Sequence, residues 1–232
     1  MSRVFGFVFA RGGSKGLPRK NLLKIGGKPL LAHSIDTAKR VQRVERIFVS
    51  TEDPEIKQIA EEYGAEVIDR PPGLAEDKSA ELDAWRHAVS YLTARGENFD
   101  VLLSLPATSP LRSPEDVSRC LEKLDGDTDV VITVTPASRS PYFNMVSRGQ
   151  DGSCQILSPS SGYSRRQDAP EAFDITTVAY AVKTEFLQTR QNLLGGKTKS
   201  VVIPKERAVD IDDYWDFKFA ELIYKEMNHV AE

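Results

Sequence analysis

The sequence has little of what builds disulfide frameworks or structural zinc sites. Its 232 residues include two cysteines, Cys120 and Cys154, and no paired Cys or His at metal-ligand spacing. The three histidines assemble no relay or ligand set, because His33 and His87 fall in predicted helices and His229 lies near the chain end. Long hydrophobic runs are missing too: the apolar stretch 4–10 is too short to cross a membrane, and no signal-cleavage pattern follows it. Neither sign of charge dominates, with 31 Lys plus Arg against 34 Asp plus Glu and a net charge of -3. No bulk basic field therefore invites nucleic acid or an anionic membrane, and a cytoplasmic chain without either partner is expected. A Gly-x-Ser-x-Gly elbow is absent, which removes the main motif for a serine hydrolase.

What remains is an ordinary globular composition, 40% hydrophobic and 28% charged, long enough to bury a substantial core. The expectation is one domain, residues 1–232, with an appendage. Residues 4–10 read as a central strand buried on both faces. A helix after Pro29 places Leu30, Leu31, Ile35 and Ala38 on one face, and residues 46–51 form the next strand. Asp53-Pro54 starts a second helix, closed by Gly64, and 65–69 follow as a strand. Leu82, Trp85, Val89 and Leu92 recur at helical spacing, residues 101–105 are apolar, Ser113-Pro114 caps a helix that buries Val117 and Cys120, and 130–135 are a strand again. This alternation predicts an α/β fold with a mostly parallel sheet covered by helices, binding its ligand beyond the strand carboxyl ends. From 136 to 170 the pattern breaks into Ser, Gly, Pro and Arg and reads as an inserted hairpin arm. Residues 176–183 and 199–203 give two further strands, and 214–227 a closing amphipathic helix.

Residues 10–21, which follow the first strand, concentrate the chemistry. Gly12, Gly13 and Gly16 let backbone N–H groups approach an anion while Arg11, Lys15, Arg19 and Lys20 neutralise it. The spacing is neither a Walker loop nor Gly-x-Gly-x-x-Gly, and a solvated basic turn is the bland alternative. At the far end, Asp210 and Asp212 share one side of an extended segment, where their repulsion is relieved by a cation such as Mg²⁺. Asp213 is open to two uses, metal ligand or helix cap. A basic loop and an acidic pair at separate strand ends together suggest a nucleoside triphosphate with Mg²⁺, attacked at phosphorus. The adjacent Arg165 and Arg166 suit a carboxylate or phosphate, or are simply solvated surface.

Several ordered motifs then resemble one family. They are Ala10-Arg11-Gly12-Gly13-Ser14-Lys15-Gly16 with Lys20-Asn21, Gly26-Gly27-Lys28-Pro29-Leu30, Val49-Ser50-Thr51-Glu52-Asp53, Arg70-Pro71, Thr108-Ser109-Pro110-Leu111-Arg112, Arg165-Arg166-Gln167 and Asp210-Ile211-Asp212. Taken in order along nearly the whole chain, they resemble the N-acylneuraminate cytidylyltransferases, the CMP-sialic acid synthetases. The resemblance implies a Rossmann-like three-layer α/β/α nucleotidyltransferase fold, CTP as co-substrate, Mg²⁺, and transfer of CMP to the anomeric hydroxyl of a nine-carbon 2-keto sugar acid with release of pyrophosphate.

Carried over by residue, it implies that Ala10, Arg11, Gly12, Gly13, Ser14, Lys15 and Lys20 cradle the triphosphate, with Arg11 and Lys20 also catalytic. Asn21 and Arg70 would place the cytidine, with Ser79 as a nucleotide contact, and Asp210 and Asp212 would hold the metal. Pro106, Ala107, Thr108, Ser109, Arg166, Gln167 and Thr176 would face the sugar acid. The arm would exchange across a homodimer and carry Arg166 toward the partner's site. Two departures bear on the sugar, Pro106-Ala107 in place of a Gln-Pro and Thr176-Thr177-Val178-Ala179-Tyr180 in place of an Asn-Gly motif, and one bears on the nucleotide, Asp77-Lys78-Ser79-Ala80-Glu81 in place of a serine-rich segment, with Ser79 as the substitute contact. Asp174-Ile175-Thr176-Thr177 looks more like synthetases for other nonulosonates, such as legionaminic acid. An acceptor of the eight-carbon Kdo type and a catalytically silent nucleotide-binding module are the competing readings.

Overall fold

The structure is a computed structural model that describes residues 2–76, 79–158, 163 and 165–229. Its elements in chain order are β1 (Val4–Phe9), β2 (Lys24–Ile25), β3 (Lys28–Pro29), α1 (Leu30–Lys39), β4 (Val44–Thr51), α2 (Pro54–Glu62), β5 (Glu66–Asp69), α3 (Glu81–Thr93), β6 (Val101–Ser104), α4 (Pro114–Lys123), β7 (Val130–Pro136), β8 (Val146–Arg148), β9 (Cys154–Ile156), β10 (Phe173–Lys183), α5 (Thr184–Thr189), β11 (Thr198–Val202) and α6 (Tyr214–His229). Seven strands form one sheet in the order β11-β7-β10-β6-β1-β4-β5. Within it β1 pairs parallel with β4 and β6, β4 with β5, and β7 with β11, while β10 alone runs antiparallel, against β6 and β7.

Strand alternation divides the core between the two faces of this sheet. Phe5 and Phe7 of β1 join Phe48, Trp85, Leu92 and Phe186, so α3 and α5 cover one face. Val4 and Val8 turn the other way, where Leu31 and Ala38 of α1, Ile56 of α2, Cys120 and Leu121 of α4 and Ala220 of α6 lie. The result is a helix, sheet, helix sandwich, as the periodicities predict. Cys120 is packing, and burial pushes its thiol up to about 12.

Helix starts follow the predicted chemistry. Asp53 accepts hydrogen bonds from the backbone of Glu55 and Ile56 ahead of Pro54, and Ser113 and Asp116 cap α4 reciprocally. Asp213 is also a cap: its Oδ1 accepts from Trp215 N at 2.7 Å and Asp216 N at 3.0 Å, which settles its two readings in favour of the helix. Segment 136–170 contains the expected hairpin, β8 paired antiparallel with β9. Ser164 of the arginine-rich stretch lies outside the described residues, as does the side chain of Arg166.

The pattern did not reveal a bulge in β10. Thr176 pairs with Thr133 and Tyr180 with Ile132, so residues 177–179 are extra on this strand. Thr133 plugs the bulge, its hydroxyl donating to the carbonyls of Thr176 (3.2 Å) and Ala179 (3.1 Å).

Candidate active site

The carboxyl ends of β1 and β6 open onto a cleft of about 420 Å³, lined by Arg11, Ser14, Lys15, Lys20 and Asn21 of the basic loop and by Thr108 and Asp212. The basic loop owes its course to backbone. Gly12 N donates to Glu52 Oε1 at 2.8 Å, and a Cβ at Gly12 would stand 2.3 Å from the Asp53 carboxylate. Asn21 Nδ2 donates to Arg11 O at 3.0 Å and closes the loop from below, while Arg11 Nη1 reaches Ala75 O at 3.2 Å. Arg19 turns away from the cleft: it adopts the left-handed conformation (φ 55°) and pairs with Asp53 and Glu55 at the start of α2.

The acidic segment meets this loop directly. Lys20 Nζ sits 3.0 Å from Asp212 Oδ1, and a Cβ on Gly16 would lie 2.5 Å from the Asp212 carbonyl oxygen. Only a glycine lets the two segments approach so closely. Val209 and Ile211 are buried, so Asp210 and Asp212 project to the opposite side, as alternation predicts. Ile211 N donates to Thr108 O at 2.9 Å and stitches this segment to the loop after β6.

Asp210 is the most constrained group of the site. Its Oδ1 is buried without a hydrogen-bond partner. Burial pushes its carboxyl pKa up, the hydroxyls of Thr108 and Thr177 oppose this, and neighbouring Asp212 adds to the rise. A buried, unpartnered carboxylate oxygen is what a hard cation satisfies. Among the described residues no three His, Cys, Asp or Glu side chains form a ligand group. Two carboxylates completed by phosphate oxygens and waters are nevertheless an ordinary Mg²⁺ arrangement, and Asp210 with Asp212 fits it.

Behind Asp210 lies a buried cation, Arg112. Its guanidinium donates to Ser34 Oγ (2.6 Å), the Pro106 carbonyl and Thr177 O (3.3 Å), joining α1, the loop after β6 and the β10 bulge. Burial pushes its pKa down to about 9, against the pull of Asp210 and Asp116. Arg70 is likewise buried, donating to Ser50 Oγ (3.2 Å) and Ser50 O (2.7 Å), with its Cζ 5.8 Å from the centre of the Phe9 ring, which lines the cleft.

Several residues expected at the site have other work. Ala10 is buried in the core and contributes backbone only, its N–H on Ser50 O. Ala107, Ser109 and Thr176 are withdrawn from the cleft. Ala107 joins the core under α1, the Ser109 hydroxyl lies 2.7 Å from that of Thr177, and Thr176 Oγ1 donates to Thr133 at 2.8 Å. The bulge thus exchanges neighbours, and Thr177 rather than Thr176 meets Thr108 and Asp210. Pro106 serves through its carbonyl, which accepts from Ser34 Oγ at 3.2 Å. Ser79 donates to Gly73 O at 2.7 Å within its own loop, beside Asp77 and Lys78, which lie outside the described residues. Gln167 lines a different cavity, about 510 Å³, at the base of the arm with Arg139 and Ser140, so one chain alone does not bring it to the cleft. Sequence reasoning quoted Thr177 and Arg112 within motifs without giving them a role, and missed Glu81, which lies within electrostatic reach of Arg70 and Asp210.

Comparison with known proteins bears on this site. The family model described as Cytidylyltransferase matches residues 5–198. The chain belongs to the cytidylyltransferase family. Among its relatives in this family is the post-translational flagellin modification protein B of Campylobacter coli, 36% identical over all of this chain and 99% of that one. The CMP-N,N'-diacetyllegionaminic acid synthase of Campylobacter jejuni subsp. jejuni serotype O:2 is 33% identical over 96% of this chain and 95% of its own length. The N-acylneuraminate cytidylyltransferase of Escherichia coli O18:K1:H7 is 30% identical over 98% of this chain and 53% of its own length. A solved CMP:2-keto-3-deoxy-manno-octonic acid synthetase complexed with CTP superposes with a TM-score of 0.76, at 19% identity, over 97% of this chain and all of that one. That likeness concerns the cytidylyltransferase fold alone. Among the described residues no helix is long and apolar enough to cross a membrane.

Proposed function

We propose that this cytidylyltransferase transfers CMP from CTP to the anomeric hydroxyl of a nine-carbon 2-keto sugar acid, releasing pyrophosphate. The observation that carries the reading is the meeting of a glycine-bound basic loop with an acidic pair across one cleft, joined by Lys20 and Asp212 at 3.0 Å. Mere nucleotide binding does not require both charged poles. A legionaminic acid synthase among the full-length relatives supports a nonulosonate acceptor over an eight-carbon one, as do Arg165-Arg166-Gln167 and Asp210-Ile211-Asp212.

In this reading the acceptor hydroxyl attacks the α-phosphorus of CTP. The bond from that phosphorus to the oxygen bridging to the β-phosphate breaks, pyrophosphate takes the electron pair, and the hydroxyl proton leaves to solvent. Lys20, Lys15, Arg11, Ser14 and the N–H group of Gly13 hold the triphosphate and neutralise charge that grows on it, while the N–H of Gly12 stays on Glu52. Asp210 and Asp212 hold Mg²⁺, which supplies charge neutralisation on the phosphates when bound. Arg70, Asn21 and Ser79 belong to the nucleotide side. Thr108, Thr177 and the loop at Pro106 belong to the sugar side, with Arg166 and Gln167 reaching it from a partner's arm. Val146 and Leu157 of the arm and Phe173 and Ile175 of β10 are large exposed apolar side chains, which supports a homodimer built through this region. The reading places the enzyme in the cytoplasm, with CTP.

Pyrophosphate release measured over a panel of nine-carbon keto acids tests it. Release should require CTP, Mg²⁺ and one such acid together. Turnover with none of the panel, or with Kdo alone, would contradict the proposal, and CTP binding without turnover would favour a silent binding module.

A further inference from the structure

Asp116 lies in the first turn of α4, outside the cleft, and its side chain is fully buried. Its carboxylate accepts from Ser113 N at 3.1 Å, Arg119 Nη2 at 2.6 Å, Arg207 Nε at 2.7 Å and Arg207 Nη2 at 3.1 Å. Burial opposes its ionisation, but these donors outweigh it and hold the carboxyl below its usual range. The helix cap needs only Ser113 and Asp116, and Arg119 already supplies a countercharge from the same helix. Arg207 is the addition, and it comes from 91 residues along the chain with both arms of a guanidinium fork.

Arg207 ends the short turn Lys205–Arg207 and stands three residues before Asp210. Between them Ala208 and Val209 pack against the core, and beyond Asp210 the N–H of Ile211 is fixed on Thr108 O. Asp213 then caps α6. The backbone of the segment carrying the two carboxylates is therefore pinned upstream by a charge pair and downstream by a hydrogen bond and a helix cap.

We propose that Arg207, gripped by Asp116, is a positioning residue that holds in place the segment bearing Asp210 and Asp212; this rests on reading that pair as the metal carboxylates. Arg207 makes no contact with either aspartate and acts through the segment between them. Groups that orient metal ligands in this indirect way typically contribute about ten- to a hundredfold in metal affinity or activity.

The experiment compares full-length wild type with Arg207→Met, Arg207→Lys and Asp116→Asn. It reads Mn²⁺ binding to the protein with CTP by electron paramagnetic resonance, thermal melting, and steady-state turnover. The expected result is at least about tenfold weaker Mn²⁺ binding in Arg207→Met, partial recovery in Arg207→Lys, and KM for the sugar acid within about twofold. Asp116→Asn keeps a hydrogen-bonding cap while removing the charge, so it answers the question if Arg207→Met fails to fold. Folded variants that bind Mn²⁺ and turn over like wild type, whatever their melting temperature, would overturn the proposal. Failure of the functional reading looks different, because a wild type without turnover on any nonulosonic acid still yields the Mn²⁺ comparison.

Discussion

The two sides of the cleft are built by opposite means. The basic loop, residues 10–21, is shaped by glycines and by hydrogen bonds that tie its backbone to polar side chains, Asn21 donating to Arg11 O and Gly12 N donating to the Glu52 carboxylate. The acidic segment is anchored by side chains, with Val209 and Ile211 in the core and Arg207 on a buried carboxylate. A backbone cradle adapts to a flexible triphosphate, whereas carboxylates meant to hold a cation must not follow it. Binding free energy is therefore expected to depend on the loop and the chemical step on the acidic side.

That contrast is most severely tested at Asp210. Asp210→Asn should lower turnover by about 10³-fold while leaving metal-free CTP affinity nearly unchanged. The same substitution should stabilise the protein without ligand. A carboxyl whose folded pKa is raised costs stability as pH climbs above the ordinary carboxylate value, and the cost persists at neutral pH. A neutral amide removes it, so Tm at neutral pH should rise, and the gain should vanish in acid. A fall in both Tm and CTP affinity would mean that Asp210 is structural.

Lys20 belongs to both sides, through the loop and through its pair with Asp212. Lys20→Met should reduce kcat/KM by about 10²-fold, divided between a higher KM for CTP and a lower kcat. A loss confined to kcat would move Lys20 wholly to the chemical step. Gly16→Ala probes the seam itself. The added methyl meets a backbone carbonyl, so the two sides must separate, and a loss of about tenfold in turnover is expected from ~1–3 kcal/mol of overpacking. Arg19→Asn should do least, changing KM for CTP by less than about threefold. Asn tolerates the left-handed backbone, and the ion pairs lost, to Asp53 and Glu55 at the start of α2, are made by a guanidinium that is itself solvent-exposed.

The same contrast explains what was legible in the sequence. Strand and helix periods, the caps at Asp53 and Ser113, and the basic loop can be read because each is a local pattern of a few residues. Alternation likewise anticipates that Val209 and Ile211, the neighbours of Asp210 and Asp212, are buried. The β10 bulge was not readable, since strict alternation gives Thr176 and Thr177 opposite faces but cannot insert residues 177–179, so the expected cleft residue was one position off. Nor could local spacing join Arg207 to Asp116, or show that Ser109 and Ala107 turn inward. Those outcomes belong to the packing of segments far apart in the chain. The family resemblance named the chemistry where spacing alone left a phosphate site of unknown kind.

The most direct test is Asp212→Ala, assayed for CTP binding without metal by calorimetry and for turnover with Mg²⁺. In the folded chain Asp212 occupies Lys20, so its removal frees a cation for phosphate. Metal-free CTP affinity should stay the same or tighten while turnover falls by at least about 10²-fold. Parallel loss of binding and turnover would contradict the division of labour between the loop and the acidic segment.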